Sequence, residues 1–226
     1  MLSEAQKYGD IVVEDFIDSY SNLTLKTVFM LKWVVNRCSS VPFVLKTDDD
    51  MLINVRGLIK ELANDTYQPS QPMIIGRIQN RPKPFRTSSS KWYLPSWLYS
   101  EERLPAFASG TGYVMTQRAV ADVYSKSLDV PLIPLEDVFI SGLVANINLH
   151  IPLVDAPRFR NDRPRLMHPC LYHHLLTAHE VVPDQLKYLW MTLKALKPAT
   201  CDSGFARLLA FTFGHGQYKV ITDVEW

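Results

Sequence analysis

The sequence predicts an α/β fold. Apolar runs of three or four residues recur along the chain, each too short to be a helix. Between them lie longer stretches with apolar residues near helical spacing, and that alternation is the mark of strands packed against helices. An acidic triplet follows one apolar run after only Lys46-Thr47, the place where open α/β sheets put their ligands, beyond the carboxyl end of a strand.

The elements follow in order. Ile11-Val12-Val13 reads as a buried strand with nothing before it to pair with. Leu23 to Asn36 reads as a helix, with Leu25, Val28, Phe29, Leu31 and Val35 near helical spacing. Pro42 to Leu45 is a short buried strand, and Val55 to Ala63 a helix with Leu58, Ile59 and Leu62 on one face. Met73 to Gly76 is another strand. From Arg77 to Phe107 the chain is rich in proline, serine and aromatics, which predicts a long ordered loop of the kind that carries binding residues. Ser109-Gly110-Thr111-Gly112 leads into a strand at Tyr113 to Met115. Glu136 to Ile147 reads as a helix with Val138, Leu143, Val144 and Ile147 inward, and Pro183 to Leu196 as a further helix.

Composition narrows the function classes. A chain of 226 residues with 47% hydrophobic and 21% charged content can bury a sizeable core without staples. A net charge of +1 lacks the basic excess of a nucleic-acid binder. No stretch approaches the roughly 18 apolar residues of a membrane span, and Met1-Leu2-Ser3-Glu4 runs directly into charged sequence with no signal-peptide pattern visible. Three cysteines, Cys38, Cys170 and Cys201, do not define a disulfide framework. The sequons Asn22-Leu23-Thr24 and Asn64-Asp65-Thr66 give mild support for a secretory setting.

The chemistry centres on Asp48-Asp49-Asp50. Three adjacent carboxylates repel one another unless a cation neutralises them. Oxygen donors suit Mg²⁺ or Mn²⁺, and such an ion can bridge a nucleotide diphosphate and stabilise it as a leaving group. A helix N-cap ahead of Val55 is the competing role for one of the three. A second acidic pair, Glu136-Asp137, can supply the carboxylate that takes a proton from an attacking hydroxyl, or can simply cap its helix. His168, His173, His174 and His179 lie near one another, and any of them can complete a metal site. Trp92, Tyr93, Trp97 and Tyr99 can stack on a sugar or pack in the core.

Taken together and in order, these segments resemble the animal β-1,3-galactosyltransferase and β-1,3-N-acetylglucosaminyltransferase family, the brainiac-like inverting enzymes. The resemblance is carried by Tyr8-Gly9-Asp10-Ile11-Val12, Asp15-Phe16, Asp18-Ser19-Tyr20, Asn22-Leu23-Thr24-Leu25-Lys26-Thr27 and Lys46-Thr47-Asp48-Asp49-Asp50-Met51. It continues through Lys91-Trp92-Tyr93, Ser109-Gly110-Thr111-Gly112-Tyr113-Val114 and Leu135-Glu136-Asp137-Val138-Phe139, and closes with Cys170 and His179. It covers about residues 4 to 195.

The resemblance implies a GT-A-type fold, a mixed sheet flanked by helices, with Mn²⁺ (Mg²⁺ as substitute) and a UDP-sugar donor. It implies Asp50 and His179 as metal ligands, Asp48 and Asp49 as supports that contact metal or nucleotide sugar, and Asp137 as catalytic base. Ser109, Gly110, Gly112, Tyr113 and Glu136, with Lys91 and Trp92, are expected to line the donor and acceptor site. The reaction implied is transfer of galactose from UDP-galactose to O3 of an acceptor glycan. The same reaction with UDP-N-acetylglucosamine, or a non-catalytic relative that binds nucleotide or glycan, are the alternatives. Members sit on the lumenal side of the Golgi membrane as type II proteins. The family's anchor and first strand-helix units are expected to be missing here, with 1–200 the catalytic domain and 201–226 an extension of unknown role. Ala108 stands where many members carry cysteine.

Overall fold

A computed structural model describes residues 2–164, 167–196, 200–201 and 219–221. Its main sheet has five strands: β1 (Phe43–Thr47), β3 (Ile74–Gln79), β4 (Phe107–Thr116), β5 (Leu153–Asp155) and β7 (Lys219–Ile221). They lie in the order β1-β4-β3-β5-β7. Only β3 and β5 run parallel; the other pairs are antiparallel, so the sheet is mixed. A second small sheet joins β2 (Leu52–Ile53) to β6 (Thr177–Ala178).

Strand alternation divides the core in two. Ile74, Met115 and Leu153 face helix α2 (Leu23–Arg37), helix α4 (Gln117–Ser127) and a wide helix over Val138–Asn148. Their neighbours Ile75, Val114 and Val154 face helix α3 (Val55–Leu62) and the irregular stretch with Phe159 and Leu176. Helices α5 (Pro169–His174) and α6 (Pro183–Ala195) close a third cluster around Leu52. Each starts with proline, whose missing N–H costs nothing in the first turn. A short helix, α1 (Leu2–Tyr8), opens the chain. Among the described residues no helix is long and apolar enough to cross a membrane.

The predicted helices and most strands are present, with corrections. Ile11–Val13 is not a strand: Val12 and Val13 are 51% and 50% exposed, and among the described residues no strand pairs with them. Helix α2 buries Thr24, Thr27, Leu31 and Val34 rather than the all-apolar line. β1 is half-buried throughout because it forms one edge of the sheet. On α3, Leu58 is buried while Ile59 is 65% exposed.

The glycine-rich stretch is not a lead-in to a strand. It lies inside β4, which runs ten residues. The expected helix at Glu136–Ile147 is mostly the wide form, held by i→i+5 hydrogen bonds such as Leu149 N–H to Val144 O. Its longer period turns Ile147 outward, to 48% exposure. Gly142 lets this helix approach the strand: a Cβ there would meet Pro105 Cγ at 2.8 Å. Helix α4 was not predicted; its buried positions, Ala119, Val120, Val123 and Ser127, are small side chains that make no conspicuous apolar run. Strands β2, β5 and β6, each two or three residues long, had no pattern to detect. The described part of 201–226 beyond Cys201 is β7, paired to β5.

Candidate active site

The acidic triplet leaves the end of β1 where the strand pairs with β4. The ladder sets Thr47 opposite Gly112, and Asp48 N–H then reaches Thr111 O at 3.4 Å. The helix cap ahead of Val55 is Asn54, whose Oδ1 accepts Gly57 N–H at 3.0 Å. None of the three aspartates is needed for that role, and Asp49 and Asp50 are exposed.

Cross-strand geometry builds the charged centre. Lys46 and Tyr113 are directly opposite on β1 and β4, so their side chains share a face. Both converge on Glu136: Tyr113 OH donates to Oε1 at 2.6 Å, and Lys46 Nζ lies 3.4 Å from Oε2. The same ammonium donates to Asp48 Oδ1 at 2.7 Å and to Gly110 O at 2.6 Å. Burial alone would lower the Lys46 pKa, but Glu136 and then Asp48 outweigh it and hold it above the usual value. Burial raises the Glu136 pKa; Lys46 counteracts this, and nearby Asp137 adds to the rise.

Asp137 stands beside this pair, partly open to solvent. Its Oδ2 accepts Gly110 N–H at 3.0 Å and its Oδ1 accepts Val138 N–H at 2.9 Å. Burial raises its pKa, and those two amides oppose the rise by favouring the ionised form. Each oxygen retains a lone pair after these bonds, so the carboxylate is oriented yet still able to accept a proton. Ser141 fixes the backbone, donating to Asp137 O at 2.7 Å while its Oγ accepts Ala108 N–H at 2.9 Å. Ala108 is fully buried at that junction.

His179 comes to Asp50 through the small sheet. β2 and β6 pair with Leu52 opposite Ala178, and the chains stay together beyond it, with Val181 N–H on Asp50 O at 3.2 Å. That puts His179 Nε2 3.3 Å from Asp50 Oδ2. The other histidines do other work. His168 Nδ1 accepts Cys170 N–H as the cap of α5, and the His173 and His174 rings meet in a T-shaped contact. Among the described residues no group of three or more His, Cys, Asp or Glu side chains is gathered to hold a metal. Asp50 and His179 offer one oxygen and one nitrogen, a donor set that fits Mn²⁺ when substrate oxygens and water complete the shell.

The remaining predicted residues divide. Gly110 is partly exposed beside Asp137, while Gly112 is buried within the strand. Ser109 is buried, with Oγ 3.3 Å from Thr111 Oγ1. Tyr113 and Glu136 are enclosed and act on the site through Lys46 rather than by lining it. Lys91 and Trp92 are exposed: Lys91 Nζ lies 4.5 Å from the Tyr20 ring centre, and Trp92 packs on Phe85 with ring centres 5.4 Å apart. Of the other loop aromatics, Trp97 is 85% exposed, and Tyr99 packs on the core while donating to Arg103 O. Sequence reading missed the role of Lys46. For Lys46 the cue was a lone cation ending an apolar run just before three carboxylates.

A mixed sheet flanked by helices, with carboxylates gathered at the end of one strand, fits an α/β glycosyltransferase. The family description "Galactosyltransferase" matches residues 1–157. The chain belongs to that galactosyltransferase family. It is 34% identical over 202 residues to Beta-1,3-galactosyltransferase 2 of Homo sapiens, covering 89% of this chain and 48% of that protein. It is 35% identical over 198 residues to Beta-1,3-galactosyltransferase 1 of Mus musculus, covering 88% of this chain and 60% of that protein. The chain thus spans about half to three-fifths of the length of these curated relatives.

Cys170 and Cys201 form a disulfide that ties α5 to the segment after α6, and Cys38 is free.

Proposed function

We propose that the protein transfers galactose from UDP-galactose to O3 of an acceptor sugar on a glycoprotein or glycolipid, with inversion, on a GT-A-type fold. The observation that carries this reading is the Asp137 carboxylate, oriented by two backbone amides and made more basic by burial. The acceptor hydroxyl oxygen forms a bond to the sugar C1 as the C1–O bond to UDP breaks. Its proton passes to Asp137. Asp50 and His179 would hold Mn²⁺, or Mg²⁺ in its place, with Asp48 and Asp49 supporting it; when bound, that ion supplies charge neutralisation for the departing diphosphate. Lys46 holds Asp48 in place and favours the ionised form of Glu136 against the effect of burial. The names of the relatives support galactose as the donor sugar. The Cys170–Cys201 disulfide and the two sequons support an oxidising secretory compartment, and we place the protein in the Golgi lumen as a membrane-anchored enzyme.

A donor screen with Mn²⁺ tests the reading: UDP-galactose should be consumed only with an acceptor glycan, and UDP-N-acetylglucosamine more slowly. Absence of turnover and of hydrolysis with either donor would sink it. Two variants extend the test. Asp50→Ala should abolish the rise in melting temperature that UDP with Mn²⁺ gives the wild type, while leaving the metal-free melt unchanged. An undiminished Mn²⁺-linked rise would exclude Asp50 as a ligand. Gly110→Ala puts a Cβ 3.2 Å from Asp137 Oδ2 and 3.3 Å from its Cβ, so the carboxylate must shift. Turnover should fall by about 10- to 100-fold, the scale of a displaced reacting group. Retention of full rate would show that the Gly110 contact does not set the base.

A further inference from the structure

We propose that Asn54 is a positioning residue for the metal pair: it fixes the register of β2 against β6 and thereby brings His179 to Asp50. The inference rests on the ligand role that the transfer reading gives those two residues, but it is carried by a separate set of hydrogen bonds.

The need for such a residue follows from the shortness of the ladder. β2 and β6 pair over two residues, Leu52 with Ala178 and Ile53 with Thr177. A pairing that short specifies its own register weakly, and a slip of one residue would turn His179 to the opposite face. The chain also leaves β6 through Glu180 at φ 55°, a left-handed conformation that a residue with a Cβ adopts at a cost. The turn that carries His179 is therefore held from outside the pairing itself.

Asn54 supplies that hold. Its side-chain Nδ2 donates to His173 O at 2.8 Å and to Leu175 O at 3.1 Å, and its backbone N–H donates to Leu176 O at 2.9 Å. The remaining carbonyl of the run, His174 O, accepts Arg158 Nε at 2.7 Å, and that guanidinium is braced by Glu61 Oε2 at 2.7 Å. The carbonyls from His173 to Leu176, at the end of α5, thus all find partners on distant segments, where a helix end leaves such groups unpaired within the helix. The Asn54–Leu176 bond fixes one end of the ladder, and Val181 N–H on Asp50 O at 3.2 Å closes the other, with His179 and Asp50 at that end. The amide is itself aimed by its oxygen: Oδ1 accepts Gly57 N–H at 3.0 Å, which leaves both Nδ2 protons for the carbonyls. Alanine is the better helix former than glycine, yet a Cβ at position 57 would lie 2.7 Å from Asn54 Nδ2 and 2.9 Å from its Cγ. Gly57 leaves the room through which the amide reaches across to α5.

Two variants test the role without touching Asp50 or His179. Asn54→Ser keeps an oxygen to cap α3 and removes the amide. Gly57→Ala keeps the amide and displaces it. Hydrogen exchange without added metal reads the register. In both variants the Val181 amide should exchange about tenfold faster, the scale of local opening when two side-chain hydrogen bonds are lost, while the β3 amides keep wild-type protection. Electron paramagnetic resonance of free Mn²⁺, titrated with UDP present, reads the metal pair. Mn²⁺ affinity should fall about 10- to 100-fold, as for other residues that orient a metal ligand. Wild-type exchange at Val181 in either variant, unchanged Mn²⁺ affinity, or a loss of protection shared equally by β3 overturns the proposal. If the wild type binds no Mn²⁺ with UDP while Asn54→Ser frees the Val181 amide, the metal pair of the transfer reading fails and the register role stands.

Discussion

Asp137→Asn should lower kcat by about 10²- to 10⁴-fold, the contribution of a positioned general base. Donor affinity should be nearly unchanged, because the group removed acts on the acceptor proton. The substitution is not silent in the fold. The carboxylate accepts from both Gly110 N–H and Val138 N–H, and an asparagine amide has only one acceptor oxygen for two N–H donors. One amide then faces an NH₂, and the melting temperature should drop modestly, at a cost of about 1–3 kcal/mol for the unsatisfied group. A near-wild-type rate with donor binding intact would remove Asp137 from the mechanism. The pH profile of the wild type gives an independent reading. Only the ionised carboxylate accepts a proton, so kcat/KM should fall as pH drops through the Asp137 pKa. Since burial raises that pKa, the acid limb should lie above the midpoint of an ordinary exposed aspartate and should vanish in Asp137→Asn.

Lys46→Met should cause the largest loss of stability of any single change at the site, about 3–5 kcal/mol. The ammonium is 11% exposed and sits between Asp48 and Glu136, and Glu136 is 5% exposed. Without it Glu136 is a buried charge with no cationic partner. The sign with pH follows from the pKa direction. Glu136 is raised in the folded state by burial, and losing Lys46 raises it further. Between the unfolded and folded pKa values the native state then binds more protons than the unfolded one. Stability of the variant should therefore decrease as pH rises across that window and recover on acidification. The double change Lys46→Met with Glu136→Gln should regain most of the loss, because Tyr113 OH can still donate to the glutamine oxygen. If the single variant melts like the wild type at neutral pH, the buried ion pair does not hold the site together. Thermal melts at two pH values decide the matter.

Much of this arrangement was written in one dimension. Short apolar runs placed β1 and β3, helical spacing placed α2, α3 and α6, and the order of the motifs placed Asp48-Asp49-Asp50 and Glu136-Asp137 in a transferase of this family. Local chemistry sufficed because those features need only near neighbours: periodicity within a helix, or a carboxylate run after a strand. What the sequence could not supply was pairing. The register of β1 against β4 puts Lys46 across from Tyr113, and only that brings a lysine and a tyrosine onto the same glutamate. The pairing of β2 with β6, two residues each, carries His179 to Asp50 and not His173 or His174. Which side of a strand a residue faces flips with a one-residue shift in register, and that register is settled by tertiary packing. The sequence by itself determined the family and the acidic residues of the site. The tertiary structure decided which cation, which histidine and which hydroxyl those acids work with, because strand pairing and helix docking bring together residues that no local pattern connects.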